Sequence, residues 1–548
     1  MRGVNAAAWI AYALLGGPVL GGLAVTAAAA FGYLPALGQA QATLAPWRRL
    51  FAEPGLWQSL RLTTTVGLSA TLLSLALAFA LLARRPGGWL GVTLTPLLAS
   101  PHSAIAVGLA FLIAPSGWIV RLLSPWATGF TGPPDWATVG DPGGWALTLG
   151  LVVKETPFLL AVGLAALAEI PAGAQCRAAQ ALGYAPARAW LLVVAPQLYA
   201  RIRWPLYAVL AYSLSVVDMA VVLAPSHPAP LSLIALRWLT SPDLADLFLG
   251  EAAALLQLAL VGAGFAAMRA LELSAGFALN RLAQQGRRTG ATDWLASGLA
   301  VLSRGALALG VVSLAALALW AVAWRWPFPL ALPQSYSLRL TISQAALLAG
   351  PAATTVALAA GSAGTSLALA IAWLEGEDRV GRHAGSALVF APLLLPQIAF
   401  LFGAEALAAA LRWDGGFVAV AWAHGLFVFP YVWLALAGPW RGLDPRYARV
   451  ATALGAGRLR ALLRVKLPLL AAPLSLAFAI GVAVSVAQYL STLFVGGGRV
   501  ATLTTEGLAL ASGGDRRLSG VVGLTQALVP LAVYAAAWGV ASRRGGRA

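Results

Sequence analysis

Charge is scarce in this chain. Of 548 residues only 10% are Asp, Glu, Lys or Arg, while 60% are hydrophobic. A water-soluble protein of this length needs far more charge to cover its surface, so a soluble globular fold is excluded. Cysteine is nearly absent. Cys176 stands alone, which rules out an intramolecular disulfide and reads as a small filler residue. The four histidines, His102, His227, His383 and His424, have no metal-ligand spacing between them, so no metal site is expected. The paired span histidines that hold a haem are also missing. No G-x-x-x-x-G-K stretch followed by Ser or Thr occurs, and Gly496–Gly498 follows an apolar run instead of joining a strand to a helix. The chain therefore carries no nucleotide-binding loop, and no cofactor is expected. If ATP drives its work, hydrolysis belongs to another polypeptide.

What is abundant is long apolar sequence. Runs such as Ala6–Ala30 and Leu62–Ala83 exceed the roughly 20 residues needed to cross the hydrocarbon layer. In lipid the backbone must satisfy its own hydrogen bonds, so these runs should be helices, and 58 glycines suit their close packing. The expected fold is an all-α polytopic membrane protein of twelve spans. They lie at about 7–30, 60–83, 91–113, 145–168, 204–224, 248–270, 299–323, 350–374, 385–410, 416–438, 469–493 and 519–541. The first run is longer than a signal-peptide core and reads as a retained span. The net charge of +17 comes from arginines clustered between spans, which points to membrane orientation and not to nucleic acid. With both termini in the cytoplasm, inner segments hold 24 of the 36 basic residues and outer segments 11, with Lys154 inside a span. That is the expected inner bias.

The chain repeats. Thr64-Thr65-Val66 matches Thr354-Thr355-Val356, and Pro101 and Gly108 match Pro396 and Gly403. Ala179–Gly183 matches Ala451–Gly455, and Pro196 matches Pro468, at an offset of 272. Six spans separate equivalent points, so both copies run the same way and a pseudo-two-fold axis along the membrane normal is expected. The division is a first half at 1–275, a cytoplasmic linker at 276–298 and a second half at 299–548. The first half carries about 20 extra residues in its outer loop near 114–143.

The two matched loops, at 170–200 and 440–468, face the cytoplasm. Each reads as a short helix ended by a glycine, with a proline where the chain re-enters the membrane. The first carries Arg177, Ala178, Ala179, Gly183 and Pro196; the second carries Arg449, Ala451, Gly455 and Pro468. These loops resemble the cytoplasmic coupling loops of binding-protein-dependent ABC importer permeases, whose pattern is E-A-A-x3-G-x9-I-x-L-P. The family's glutamate is replaced by Arg177 and Arg449. The chain is similar to the fused permeases of the ferric-iron, thiamine and related group, and Gln488–Arg517 resembles one uncharacterised branch of it. The resemblance implies two cytoplasmic ABC ATPase subunits, a periplasmic substrate-binding protein and a bacterial inner-membrane location. It leaves the substrate open among thiamine, ferric iron, a polyamine and an inorganic anion.

Polar residues inside spans mark candidate pathway positions. Lys154 and Glu155 lie mid-span, adjacent in sequence and therefore facing different ways. Asp218 aligns with Gln488 at an offset of 270. The competing reading is that these side chains serve helix packing against neighbouring backbone; His424 reads more simply that way. A different class of function, an ion-gradient-driven carrier with six-plus-six duplicated helices, would use Glu155 or Asp218 as cation sites. The loop pair separates the two, since such a carrier does not need it.

Overall fold

A computed structural model describes residues 6–290, 292–381, 387–410, 412–413, 415–511 and 514–545. His383 lies outside the described residues. The chain is all-α. Its only strands among the described residues are Ala323–Arg325 and Ser335–Tyr336, a short antiparallel pair. The principal helices are α1 (Ala6–Ala30), α2 (Leu56–Ala83), α3 (Trp89–Ala99), α4 (His102–Ile113), α5 (Trp145–Leu167), α6 (Ala172–Ala181), α7 (Ala195–Ser215), α8 (Asp218–Leu223), α9 (Leu231–Leu239) and α10 (Leu244–Gln284). They are followed by α11 (Thr292–Val322), α12 (Arg339–Val380), α13 (Ile398–Ala410), α14 (Phe417–Arg441), α15 (Arg446–Ala453), α16 (Ala471–Val486), α17 (Leu490–Gly496), α18 (Leu503–Ala511) and α19 (Arg516–Gly545).

Among the described residues nine helices are long and apolar enough to cross a membrane, or ten if a pair bent by 79°, Arg458–Leu469 with Ala471–Val486, is one span. Twelve unbroken spans were expected. The difference of three lies in 204–224, 385–410 and 469–493, each of which is interrupted; 91–113 is interrupted too, but its second part is counted within His102–Leu123. Two breaks fall at Pro101 and Pro396, which have no N–H to continue a helix. The other two, at Val216–Val217 and Ala487–Tyr489, lack a proline. Side chains from elsewhere take up the freed carbonyls there, as interrupted backbone at membrane depth requires. Gln257 donates to the Leu214 carbonyl (2.8 Å), Ser232 to that of Val216 (2.7 Å) and Thr504 to that of Val486.

Particular hydrogen bonds recur along the chain. The Leu231 N–H donates to Thr63 and the Leu503 N–H to Thr355, both at 2.9 Å. The Gly140 N–H donates to the Leu223 carbonyl and the Gly415 N–H to that of Val495, both at 3.1 Å. The first pair corrects the threonine alignment: Thr63, not Thr65, holds the place of Thr355. A clustered Thr-Thr-Thr run can be matched at several registers, and only the partner N–H distinguishes them.

Two of the long helices, α1 and α11, each pack closely on a helix far away in the sequence. A Cβ on Gly403 (α13) would stand 2.1 Å from the Gly22 carbonyl oxygen (α1), and one on Gly22 would stand 2.2 Å from that of Phe400. A Cβ on Gly108 (α4) would stand 2.3 Å from the Ser313 carbonyl oxygen (α11). Backbones meet at both crossings, which only residues without side chains permit. Thus α1 is laid against α13 and α11 against α4.

Candidate functional site

The two matched loops share one local geometry. After α6 the Gly183 N–H donates to the Gln180 carbonyl (2.8 Å) and the Tyr184 N–H to that of Ala179 (3.2 Å). After α15 the Gly455 N–H donates to Thr452 and the Ala456 N–H to Ala451, both at 3.0 Å. This is the paired-bond helix ending that needs a left-handed residue, and Gly183 (φ +89°) and Gly455 (φ +83°) supply it. A one-turn helix follows in each, Pro186–Ala189 and Arg458–Ala461, then a π-turn, Trp190–Val194 and Leu462–Lys466. Pro196 and Pro468 come second in the helices after those turns. A proline cannot close the i→i−4 bond, so the turn before it widens. Arg177, Ala178, Arg449 and Gly455 are exposed, Ala451 is half-buried, and Ala179 is buried beside Cys176.

The loops differ in what covers them. Arg288, Thr289 and Asp293 lie on the first. The Ala185 N–H donates to the Arg288 carbonyl (2.9 Å), the Ala187 N–H to Asp293 Oδ1 (3.0 Å) and Arg188 to the Thr289 carbonyl. Arg84 ties the linker to the end of α2 through the Asp293 carbonyl (3.0 Å). A Cβ on Gly183 would meet the Arg288 side chain at 3.1 Å, whereas one on Gly455 would meet nothing within 4 Å. In keeping with this, α15 buries none of its residues. Asp444, Arg446, Tyr447, Val450, Ala451, Leu454 and Val465 line an open groove of about 540 Å³ along it. The second loop is held instead by the acidic end of α12. Lys466 pairs with Glu375 and Asp378, each at 2.7 Å, and Arg441 pairs with the buried Glu377 at 2.8 Å.

The span residues form a second, buried group. Lys154 is 6% exposed and donates to the carbonyls of Leu97 (2.6 Å) and Ser100, the last acceptors of α3 before the break at Pro101. It therefore acts as a cap on a broken helix. Glu155 points elsewhere, with Oε1 3.3 Å from His102 Nε2. The His102 ring lies 4.7 Å from the Tyr212 ring, and the Tyr212 hydroxyl donates to Asp218 at 2.8 Å. Glu155 with His102 and Tyr212 with Asp218 thus make two polar pairs joined by the contact of the His102 and Tyr212 rings. Gln488 does not join them; it accepts from Ser491 at 2.8 Å. His424 is satisfied by Ser485 (2.8 Å) and Thr492 (2.9 Å), as a packed histidine would be.

Compared with known proteins, the chain is 34% identical over 504 residues to the inner membrane ABC transporter permease protein YnjC of Escherichia coli (strain K12). The match covers 90% of each chain. The chain belongs to the ABC transporter permeases. No family model and no solved structure matches it. As an ABC permease it is the non-enzymatic, membrane-spanning component of a transporter whose ATP is hydrolysed by separate ATPase subunits.

Some residues of these two groups were not singled out from the sequence. Asp293 and the linker backbone gave no signal, because their role is a long-range contact with the first loop. Tyr212 lies in an apolar run, and His102 was weighed only as a metal ligand; the Pro101 beside it was the available clue that the helix breaks there. The acids Glu375, Glu377 and Asp378 stand at the end of an apolar span, within four residues of the opposite-charge Arg379 and far in sequence from Lys466.

Proposed function

We propose that this chain is the permease subunit of an ATP-driven, binding-protein-dependent importer that moves a small solute across the inner membrane by alternating access. The observation that carries this reading is the pair of cytoplasmic loops, which end their helices on the same left-handed glycine and the same two backbone hydrogen bonds. Two identical local structures at equivalent points suit two copies of one partner. Their exposed residues, Arg177 and Ala178 on α6 and Arg449 with the groove on α15, form the docking faces for two ATPase subunits. The halves at 1–275 and 299–548, joined by the linker at 276–298, rock about the axis between them, with both termini in the cytoplasm. ATP draws the loops together and opens the pathway to a loaded periplasmic binding protein; hydrolysis restores the inward-facing state. By linkage, binding-protein docking and ATP-induced closure then favour one another equally.

Polar groups at the break between α7 and α8 support a place for Glu155 and Asp218 along the pathway, with Gln488 at the equivalent break. Lys154 serves that region by holding the end of α3. The test is reconstitution. The full chain is co-expressed with a candidate ABC ATPase subunit from the same cell, purified, and assayed for ATP turnover in lipid. Co-purification with turnover, lost in Gly455→Trp at unchanged expression, supports the reading. Solute movement by the chain alone down an imposed ion gradient, with no ATPase associating, overturns it.

A further inference from the structure

On the face opposite the coupling loops, a cavity of about 280 Å³ is lined by Trp320, Trp324, Trp326, Asp515, Arg516 and Arg517. It sits where the end of α11 and its short hairpin meet the start of α19. Three guanidinium groups stand over its aromatic rings. Arg121 lies 5.0 Å from the Trp326 ring centre and 5.8 Å from that of Trp320. Arg516 lies 5.4 Å from the Trp320 centre, so that ring carries two cations, and Arg517 lies 5.4 Å from that of Trp324.

The charges do not balance. Arg121 is only 5% exposed, and its guanidinium donates to the carbonyls of Ser116 (2.9 Å) and Pro327 (3.0 Å). Arg516 is half-buried and donates to the same Ser116 carbonyl at 3.1 Å. Among the described residues neither has a carboxylate partner, and the two repel one another. Asp515 is engaged by Arg517 at 3.5 Å and by the N–H groups of Arg517 and Leu518. Burying like charges together is costly unless an opposite charge compensates. The start of the 30-residue α19 adds the positive end of a helix dipole to the same place.

We propose that this cavity binds a phosphate-type anion, held by Arg516 and Arg517 and backed by the field of Arg121. Guanidinium suits phosphate because its fork of N–H groups matches two oxygens at once. The tryptophans exclude water from the ion pair and keep the guanidiniums stacked. The phosphate can belong to a lipid headgroup or be free in solution. An exposed Trp324 beside the cavity is the residue type that settles at the headgroup level.

The full chain, purified and stripped of lipid, is tested for a shift in thermal midpoint with inorganic phosphate against chloride at matched ionic strength. It is tested in parallel with phosphatidylglycerol against diacylglycerol, which has no phosphate. A shift with phosphatidylglycerol alone assigns the site to a lipid headgroup; a shift with inorganic phosphate assigns it to a free anion. In either case Arg516→Gln weakens the apparent affinity roughly tenfold or more, as loss of a charged hydrogen bond implies. Arg543→Gln, at the far end of the same helix, leaves it unchanged. Should Arg516→Gln not fold, Arg517→Gln gives the same readout with the buried pair intact. No shift with either probe, or a shift that survives both Arg516→Gln and Arg517→Gln, overturns the site.

Discussion

Gly183 and Gly455 have the same backbone angle but different surroundings, so they separate strain from contact. An alanine at Gly455 meets no neighbour, and its cost is the left-handed conformation alone, about 1–2 kcal/mol. Gly183→Ala adds a close approach to Arg288 and should cost more. The thermal midpoint and the yield of ATPase-bound permease measure both, and Gly183→Ala should lower them further. Equal losses would mean that Arg288 does not restrain the first loop. Lys154 poses a different question, since the sequence marks it as a charge in a span and the structure gives it two carbonyls to cap. Lys154→Met should destabilise the chain by about 1–3 kcal/mol, the cost of leaving buried acceptors unpaired. Unchanged stability with altered transport would return it to the pathway. The glycines were legible because a left-handed helix ending leaves a local signature. The capping role of Lys154 was not, because its acceptors are 54 and 57 residues away.

At the scale of elements, the spans that are unbroken in the structure were readable from apolar length, and the interrupted ones were misread for the same reason. Nothing in the composition of 204–224 distinguishes a continuous helix from two helices parted at Val216. The break exists because Ser232 and Gln257, from α9 and α10, offer the donors the backbone lacks there. The matching glycine-ended turns of the two loops were readable as a pair, but their unequal anchoring was not. The first leans on the linker through Asp293 and the second on α12 through Glu375 and Asp378. Asp293→Ala should therefore loosen only the first loop, raising proteolysis or hydrogen exchange around Ala185–Arg188 while 446–466 stays as before. Glu375→Gln with Asp378→Asn should do the reverse. If either variant loosens both loops, the anchors are not independent.

The whole molecule is held together by exchange. Because α1 packs on α13 and α11 on α4, the parts of the chain before and after residue 291 cover one another, and the crossings at Gly22–Gly403 and Gly108–Ser313 bring backbone against backbone. The repeat in the sequence suggested two equivalent halves side by side; it could not show that their first helices trade places, since a helix carries the same apolar face to either partner. The exchange makes a prediction about the chain cut in two. Residues 1–290 and 292–548, expressed separately, each lack a helix that covers a small-residue groove, and each should be degraded or aggregate. Co-expressed, they should assemble and co-purify in detergent, because the crossings and the contacts of residues 285–290 with the first loop are all kept. Gly403→Leu in the second fragment forces α1 away from α13 by overpacking, at about 1–3 kcal/mol or more, and should reduce that assembly. Either fragment proving stable and monodisperse alone would show that the exchanged helices are not needed to complete the fold.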